Sequence, residues 1–313
     1  MPESTFRFKM AASIQYLQRG EIDIAKWDAC VDTATNGLIY SYSYYLDAMS
    51  ANWGGLVLNN YEAVMPLTWR KKWGIYYLYQ PFLTAQTGLT SSNTSKEMLR
   101  LFLNAIPRKF LLWDVSLNHH TLFQLDDYPL HLRKNYILPL QAAYENLNAN
   151  YRQNVKRNIK KALQLGCYVR KGIAVELVVT LAKEFTPGIG QFEREFVNFE
   201  KLYHFLLQRK QAVTYGVYSS SQQLIASAVF VFSHDRAYYI LVGNHPNGKT
   251  LGASHLLVDG FIKDHAAQNL TLDFEGSDVQ TLAFFYSSFG AVEEKYTALK
   301  LNRLPWLLKW MKQ

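Results

Sequence analysis

In "LDFEGSDVQTLAFFYSSFGAVEEKY", residues 272–296, a strand-like start carries Asp273 and Glu275 and an aromatic helix-like stretch carries Tyr286, residue types that move protons. In "LTLDFEG", strand alternation puts Leu270, Leu272 and Phe274 on one face. Thr271, Asp273 and Glu275 take the other, with the two carboxylates about 6.6 Å apart along the chain. A carboxylate beside an apolar wall has its pKa raised toward the range where it can take a proton from a nucleophile. Glu275, at the strand's end, is expected nearer the open edge, with Asp273 orienting it or anchoring the loop. The plainer reading is that both cap the following turn or pair with basic side chains. Tyr286 either handles a proton or packs with Phe284, Phe285 and Phe289.

A second cluster comes just before. Gly248, Gly252, Ala253 and Ser254 stand at an expected helix start, where unobstructed backbone N–H groups and the helix dipole favour an anion, and Lys249 adds a mobile positive charge. His245 and His255 flank this loop as secondary base candidates, or as ordinary surface histidines. "Asn-Gly-Lys" is also a common turn, and Gly-Ala a common close-packed helix start.

The formal net charge of +8 is unevenly placed. Between Glu145 and Glu176 there is no acid, while Arg152, Lys156, Arg157, Lys160, Lys161, Arg170 and Lys171 are all basic. Tyr151, Val155, Ile159 and Ala162 or Leu163 recur at helical spacing, so "NANYRQNVKRNIKKALQLG" reads as one amphipathic helix that Gly166 stops. Its face of Arg152, Lys156, Arg157 and Lys160 either attracts phosphates of a polyanion or is simply solvated.

Positioning these residues requires particular elements. Runs 212–219, 223–233 and 236–243 form a strand meander. A helix in "LGASHLLVDGFIKDHAAQN" follows, with Ala253, Leu256, Leu257, Gly260 and Phe261 on its buried face, and then the acidic strand. Strand, helix and strand within about forty residues is a βαβ unit with parallel strands and a right-handed crossover. The first half repeats the order: strands near 55–59, 61–69 and 74–79, a helix from about Ser95 to Ile106, then "KFLLWDVS". Val57 and Asp114 lie 57 positions apart and Val217 and Asp273 lie 56 apart, so two copies of one fold are expected, divided at 1–145 and 146–313. With 313 residues, 49% of them hydrophobic, the chain can bury two cores. Cys30 and Cys167 are its only cysteines, so neither a disulfide framework nor a zinc site is suggested, and no metal is expected. No signal-like h-region and no apolar run of about 18 residues is present, which reads as a cytoplasmic protein without stable membrane insertion.

On "NYRQNVKRNIKKALQLG", "GKTLGASHLLVDGFI", "LDFEGS" and "FFYSSFGA" the chain resembles the GNAT acyl-CoA N-acyltransferase superfamily, in its tandem, Fem-type (peptidoglycan-bridge aminoacyltransferase-like) branch. The resemblance implies an α/β (α+β) fold of two GNAT-like domains, each a mixed, mostly antiparallel sheet with one parallel crossover. It assigns the donor's phosphates to Lys249 and the backbone from Gly252 to Ser254, and protonation of the leaving thiolate to Tyr286, four residues before Gly290. Backbone N–H groups near Gly243 and Asn244 would then act as an oxyanion hole. Fem-type enzymes more often carry lysine at the Tyr286 position, so Phe285-Tyr286 keeps the Fem frame with the GNAT residue.

The expected activity is N-acyl transfer from acyl-CoA to an amine, in a small molecule or a cell-envelope precursor. Alternatives are Fem-type transfer from aminoacyl-tRNA and a catalytically silent polyanion-binding protein. "YQPFLTAQTGLTSS", lacking Lys or Arg, reads as an acceptor-side or structural loop. "LPWLLKWMKQ" reads as a basic, Trp-rich segment that touches a membrane surface or packs on the second domain.

Overall fold

The structure is a computed structural model that describes residues 13–186, 188–276 and 278–306. In the first half, β1 (Ile14–Gln18), α1 (Ile24–Thr33) and α2 (Ser43–Met49) precede the meander β2 (Trp53–Leu58), β3 (Ala63–Lys72) and β4 (Ile75–Tyr79). A short β5 (Thr90–Ser91), α3 (Lys96–Ala105), β6 (Phe110–Ser116) and β7 (Leu130–Pro139) complete it. The second half opens with α4 (Tyr144–Ala149), α5 (Gln153–Gln164), β8 (Tyr168–Lys171), α6 (Val175–Phe185) and α7 (Glu193–Gln208). The meander β9 (Ala212–Tyr218), β10 (Leu224–Ser233) and β11 (Arg236–Asn244) follows, then α8 (Pro246–Leu251), α9 (Ala253–His265), β12 (Thr271–Asp273), α10 (Gln280–Ser287) and β13 (Val292–Asn302).

Both expected crossovers are present. β4 pairs in parallel with β6 across α3, and β11 in parallel with β12 across α9, while each meander is antiparallel. Apolar alternation and turn residues set these elements locally. The last strands obey a longer-range rule. β7 leaves β6 and pairs with β12, while β13 crosses back to lie between β6 and β7. The halves thus share one sheet in the order β1-β2-β3-β4-β6-β13-β7-β12-β11-β10-β9-β8. A core cluster joins Trp27, Tyr40, Tyr45 and Leu46 of the first half to Phe196, Phe199, Val229 and Tyr238 of the second.

Three local expectations are corrected. The single basic helix is two, α4 and α5, because Tyr151 is buried against Phe289 and the Arg152 N–H donates to the Ser288 carbonyl at 2.9 Å. Gly166, at φ +76°, follows the second helix as expected. The acidic strand stops at Asp273, since Glu275 and Gly276 both turn to positive φ, +63° and +87°. The crossover helix is likewise interrupted, with α8 ahead of α9 and Gly252 at φ +80° between them. In "LPWLLKWMKQ", Leu304 is buried and Trp306 exposed, and residues 307–313 lie outside those described.

Candidate active site

A cavity of about 480 Å³ opens between the end of β11, the α8–α9 junction and α10. Its walls are Tyr239, Val242 and Asn244 from β11, Gly248 and Lys249 from α8, and Ser254 and His255 from α9. Thr281, Leu282, Phe285 and Tyr286 of α10 and Thr186 after α6 close it. Ser254 Oγ donates to Asn244 Oδ1 at 2.7 Å and ties the start of α9 to the end of β11. Burial against Phe285 and Phe289 lowers His255 to about 4, so its ring is neutral near pH 7. His245 is engaged elsewhere: its Nδ1 accepts from the Asn247 N–H at 3.1 Å, capping α8.

Of the residues assigned to the donor, Asn244, Gly248, Lys249 and Ser254 line the cavity. Gly243, Gly252 and Ala253 stand behind its wall. A Cβ on Gly243 would meet the backbone nitrogen of Ala182 in α6 at 2.8 Å, and one on Gly252 would meet the Asn158 carbonyl of α5 at 2.5 Å. Ala253 is wholly buried. The glycines are therefore set by close backbone packing, which draws α5 against the loop.

Asp273 is already engaged. It is buried, accepts from Arg236 Nη1 at 2.6 Å and from Asn135 Nδ2 at 2.9 Å, and takes the Glu275 N–H at 2.8 Å. Arg236 also binds Glu294, at 2.9 and 3.0 Å, so one guanidinium neutralises two carboxylates at the seam of the halves. Burial would raise Glu294, but the Arg236 hydrogen bonds and charge outweigh it and hold the group below its usual range. Glu275 has no ion-paired cation among the described residues. Its carboxyl accepts the Tyr40 hydroxyl from the first half, and burial pushes it up to about 8 against the pull of that hydrogen bond, with Asp273's charge adding to the rise. Tyr286 stacks on Phe274 with ring centroids 4.5 Å apart; burial raises its hydroxyl well above the usual range, and Glu275 lies near enough to contribute. Strand alternation could not reveal Tyr40, which lies 235 positions from Glu275 and is positioned by the shared core.

The acetyltransferase (GNAT) domain family matches residues 149–280, the segment that carries most of this cavity. That segment resembles a GNAT domain. The whole chain has the fold of tandem GNAT proteins of the Fem type. The crystal structure of FemX superposes with a TM-score of 0.63 at 14% identity, covering 96% of this chain and 100% of that one. A tandem GNAT protein from the clavulanic acid biosynthesis pathway gives 0.54 at 9% identity, covering 94% and 99%. L-PGS from Bacillus licheniformis gives 0.52 at 10%, covering 92% and 95%. No curated protein matches the chain.

Outside the cavity lining, α5 and the Arg152 that precedes it lie against α8 and α10. Arg152 lies over the Phe284 ring at 5.1 Å and Lys161 Nζ donates to the Thr250 carbonyl at 2.9 Å. Lys156 turns back to the Ala149 carbonyl at 3.1 Å, whereas Arg157 and Lys160 are exposed. None of Arg152, Lys156, Arg157 and Lys160 is ion-paired among the described residues. In the first half, the chain itself fills the space past β4 and β6. Thr87 bridges to Leu117, and Gln80 and Gln86 accept the Ser116 and His119 N–H groups at 3.0 and 2.8 Å. "YQPFLTAQTGLTSS" is thus a buried, hydrogen-bonded plug.

Proposed function

We propose that this protein is an N-acyltransferase that moves an acyl group from acyl-CoA to an amine acceptor, using the cavity between β11, the α8–α9 junction and α10. The observation that carries this reading is Tyr286 on the cavity wall, opposite Lys249 and Ser254, at the head of the crossover helix. The cavity's volume lies within the range of small-molecule sites. Lys249 and the backbone opening α9 would face the donor's phosphates, and the end of β11 near Gly243 and Asn244 would polarise the thioester carbonyl. The acceptor nitrogen attacks that carbonyl: the C–N bond forms, the C–S bond breaks, and the departing thiolate takes the Tyr286 proton. We assign the proton shed by nitrogen to Glu275, which stands outside the cavity lining but near Tyr286, is ionised above about pH 8 and is oriented by Tyr40; exchange with solvent restores Tyr286. We assign donor binding to 146–313 and acceptor-side walls to 1–145, whose own cleft is plugged. The setting is cytoplasmic, with a small-molecule or envelope-precursor amine as acceptor.

One observation favours a second reading. Arg157 and Lys160, exposed and not ion-paired among the described residues, stand on the helix packed beside α8 and α9, as a donor with a nucleic-acid backbone, such as aminoacyl-tRNA, would require. A thermal-shift comparison separates the two. Stabilisation by acetyl-CoA that Lys249→Ala removes supports the thioester donor. Salt-sensitive stabilisation by tRNA alone supports the other, and neither response would leave a silent scaffold.

A further inference from the structure

Among the described residues the most exposed large apolar side chains are Trp306, 79% exposed, and Trp73, 74% exposed. Sheet register brings them to one end of the molecule. Asn302 pairs with Leu112, Leu112 with Tyr77, and Tyr77 with Arg70, so β13 runs out beside the β3–β4 hairpin, about 14 Å away across three strand spacings.

Trp73 is there against local preference. Lys72 pairs with Ile75, leaving Trp73-Gly74 as a two-residue turn with φ +50° and +81°. Such turns favour Asn-Gly, and a bulky aromatic at positive φ is an outlier that folding alone does not select. Around the two indoles, Lys71, Lys72, Arg108, Lys109 and Arg303 are exposed, and none is ion-paired among the described residues. Lys72 lies over the Trp73 ring at 4.6 Å, and Arg303 over Trp113 at 4.5 Å. Of the nearby acids, Asp127 is bound to Arg100 at 3.2 Å and Glu21 accepts the Gln18 N–H.

We propose that this end of the sheet docks on an anionic lipid bilayer, with Trp73 and Trp306 at headgroup level and the five cations facing lipid phosphates. Indoles favour the membrane–water boundary because one edge is polar and the body apolar, and lysines beside them add attraction to an anionic surface. Single-stranded nucleic acid is the less suitable partner, since it stacks along a continuous groove of rings. Here the indoles stand on separate tips. The proposal is independent of the transfer chemistry: β13 separates this end from the row of Asp273 by roughly 30 Å.

Co-sedimentation of the full chain with phosphatidylcholine vesicles, with and without about one-third phosphatidylglycerol, tests it. Binding is expected to the anionic vesicles only, to weaken with salt, and to fall roughly thirtyfold in Lys71→Gln/Lys72→Gln. Trp73→Asn is the discriminating variant: it suits the turn, so its thermal midpoint should equal or exceed the parent's while vesicle binding drops. Equal binding to neutral vesicles, undiminished binding by Trp73→Asn, or loss of tRNA rather than vesicle binding in these variants would overturn the proposal.

Discussion

Tyr286 and Glu275 share one buried neighbourhood, so their titrations are linked to folding and, in the proposed mechanism, to the reaction. Tyr286→Phe keeps the stacking on Phe274 and removes only the proton; steady-state kinetics should show kcat reduced about a hundredfold with KM little changed. Glu275 carries a sign that stability measurements can read. Its folded pKa is raised, so between about 4.5 and about 8 the unfolded chain ionises while the native carboxyl stays neutral. Stability from this group is therefore full below about pH 4.5 and declines as pH rises toward 8, by about 1.4 kcal/mol per pH unit. Glu275→Gln should flatten that part of a denaturation-versus-pH curve and remove the rise of kcat/KM toward pH 8. An unchanged curve would mean that the carboxyl is ionised throughout. Residue type and spacing single out Asp273, Glu275 and Tyr286 as candidates. Their arrangement was not legible there, because a glutamate at positive φ and a hydroxyl supplied from the other half leave no periodic trace.

At the scale of elements, hydrophobic periodicity marked both meanders and both crossover helices to within a few residues. It failed where tertiary contacts override the local pattern: at Tyr151, which breaks the basic helix, and at Gly252, which separates α8 from α9. Gly252 looked like a residue making room for phosphate, but it makes room for the Asn158 carbonyl. Gly252→Ala combines that clash with φ +80° and should cost on the order of 1–3 kcal/mol. Chemical denaturation would detect it as a lowered midpoint. An unaltered midpoint would show that α5 and the loop are not packed as described.

The molecule as a whole is organised around a strand exchange that no local pattern announces. β7 and β13 each complete the other half's sheet, Arg236 joins Asp273 to Glu294 across the same seam, and one core cluster draws on both halves. Residues 146–313 expressed alone would expose Tyr238, Phe199 and the β12 edge, so they should be insoluble or lack a cooperative thermal transition. Co-expression with 1–145 should restore both, and an independently folded second half would refute the exchange. This union gives Glu275 its partner Tyr40. The most direct test of the cavity's role is calorimetric titration with acetyl-CoA. The proposed thioester donor predicts one binding site, weakened about tenfold by Lys249→Ala and little affected by Tyr286→Phe. Absence of binding, or affinity indifferent to Lys249, would contradict it.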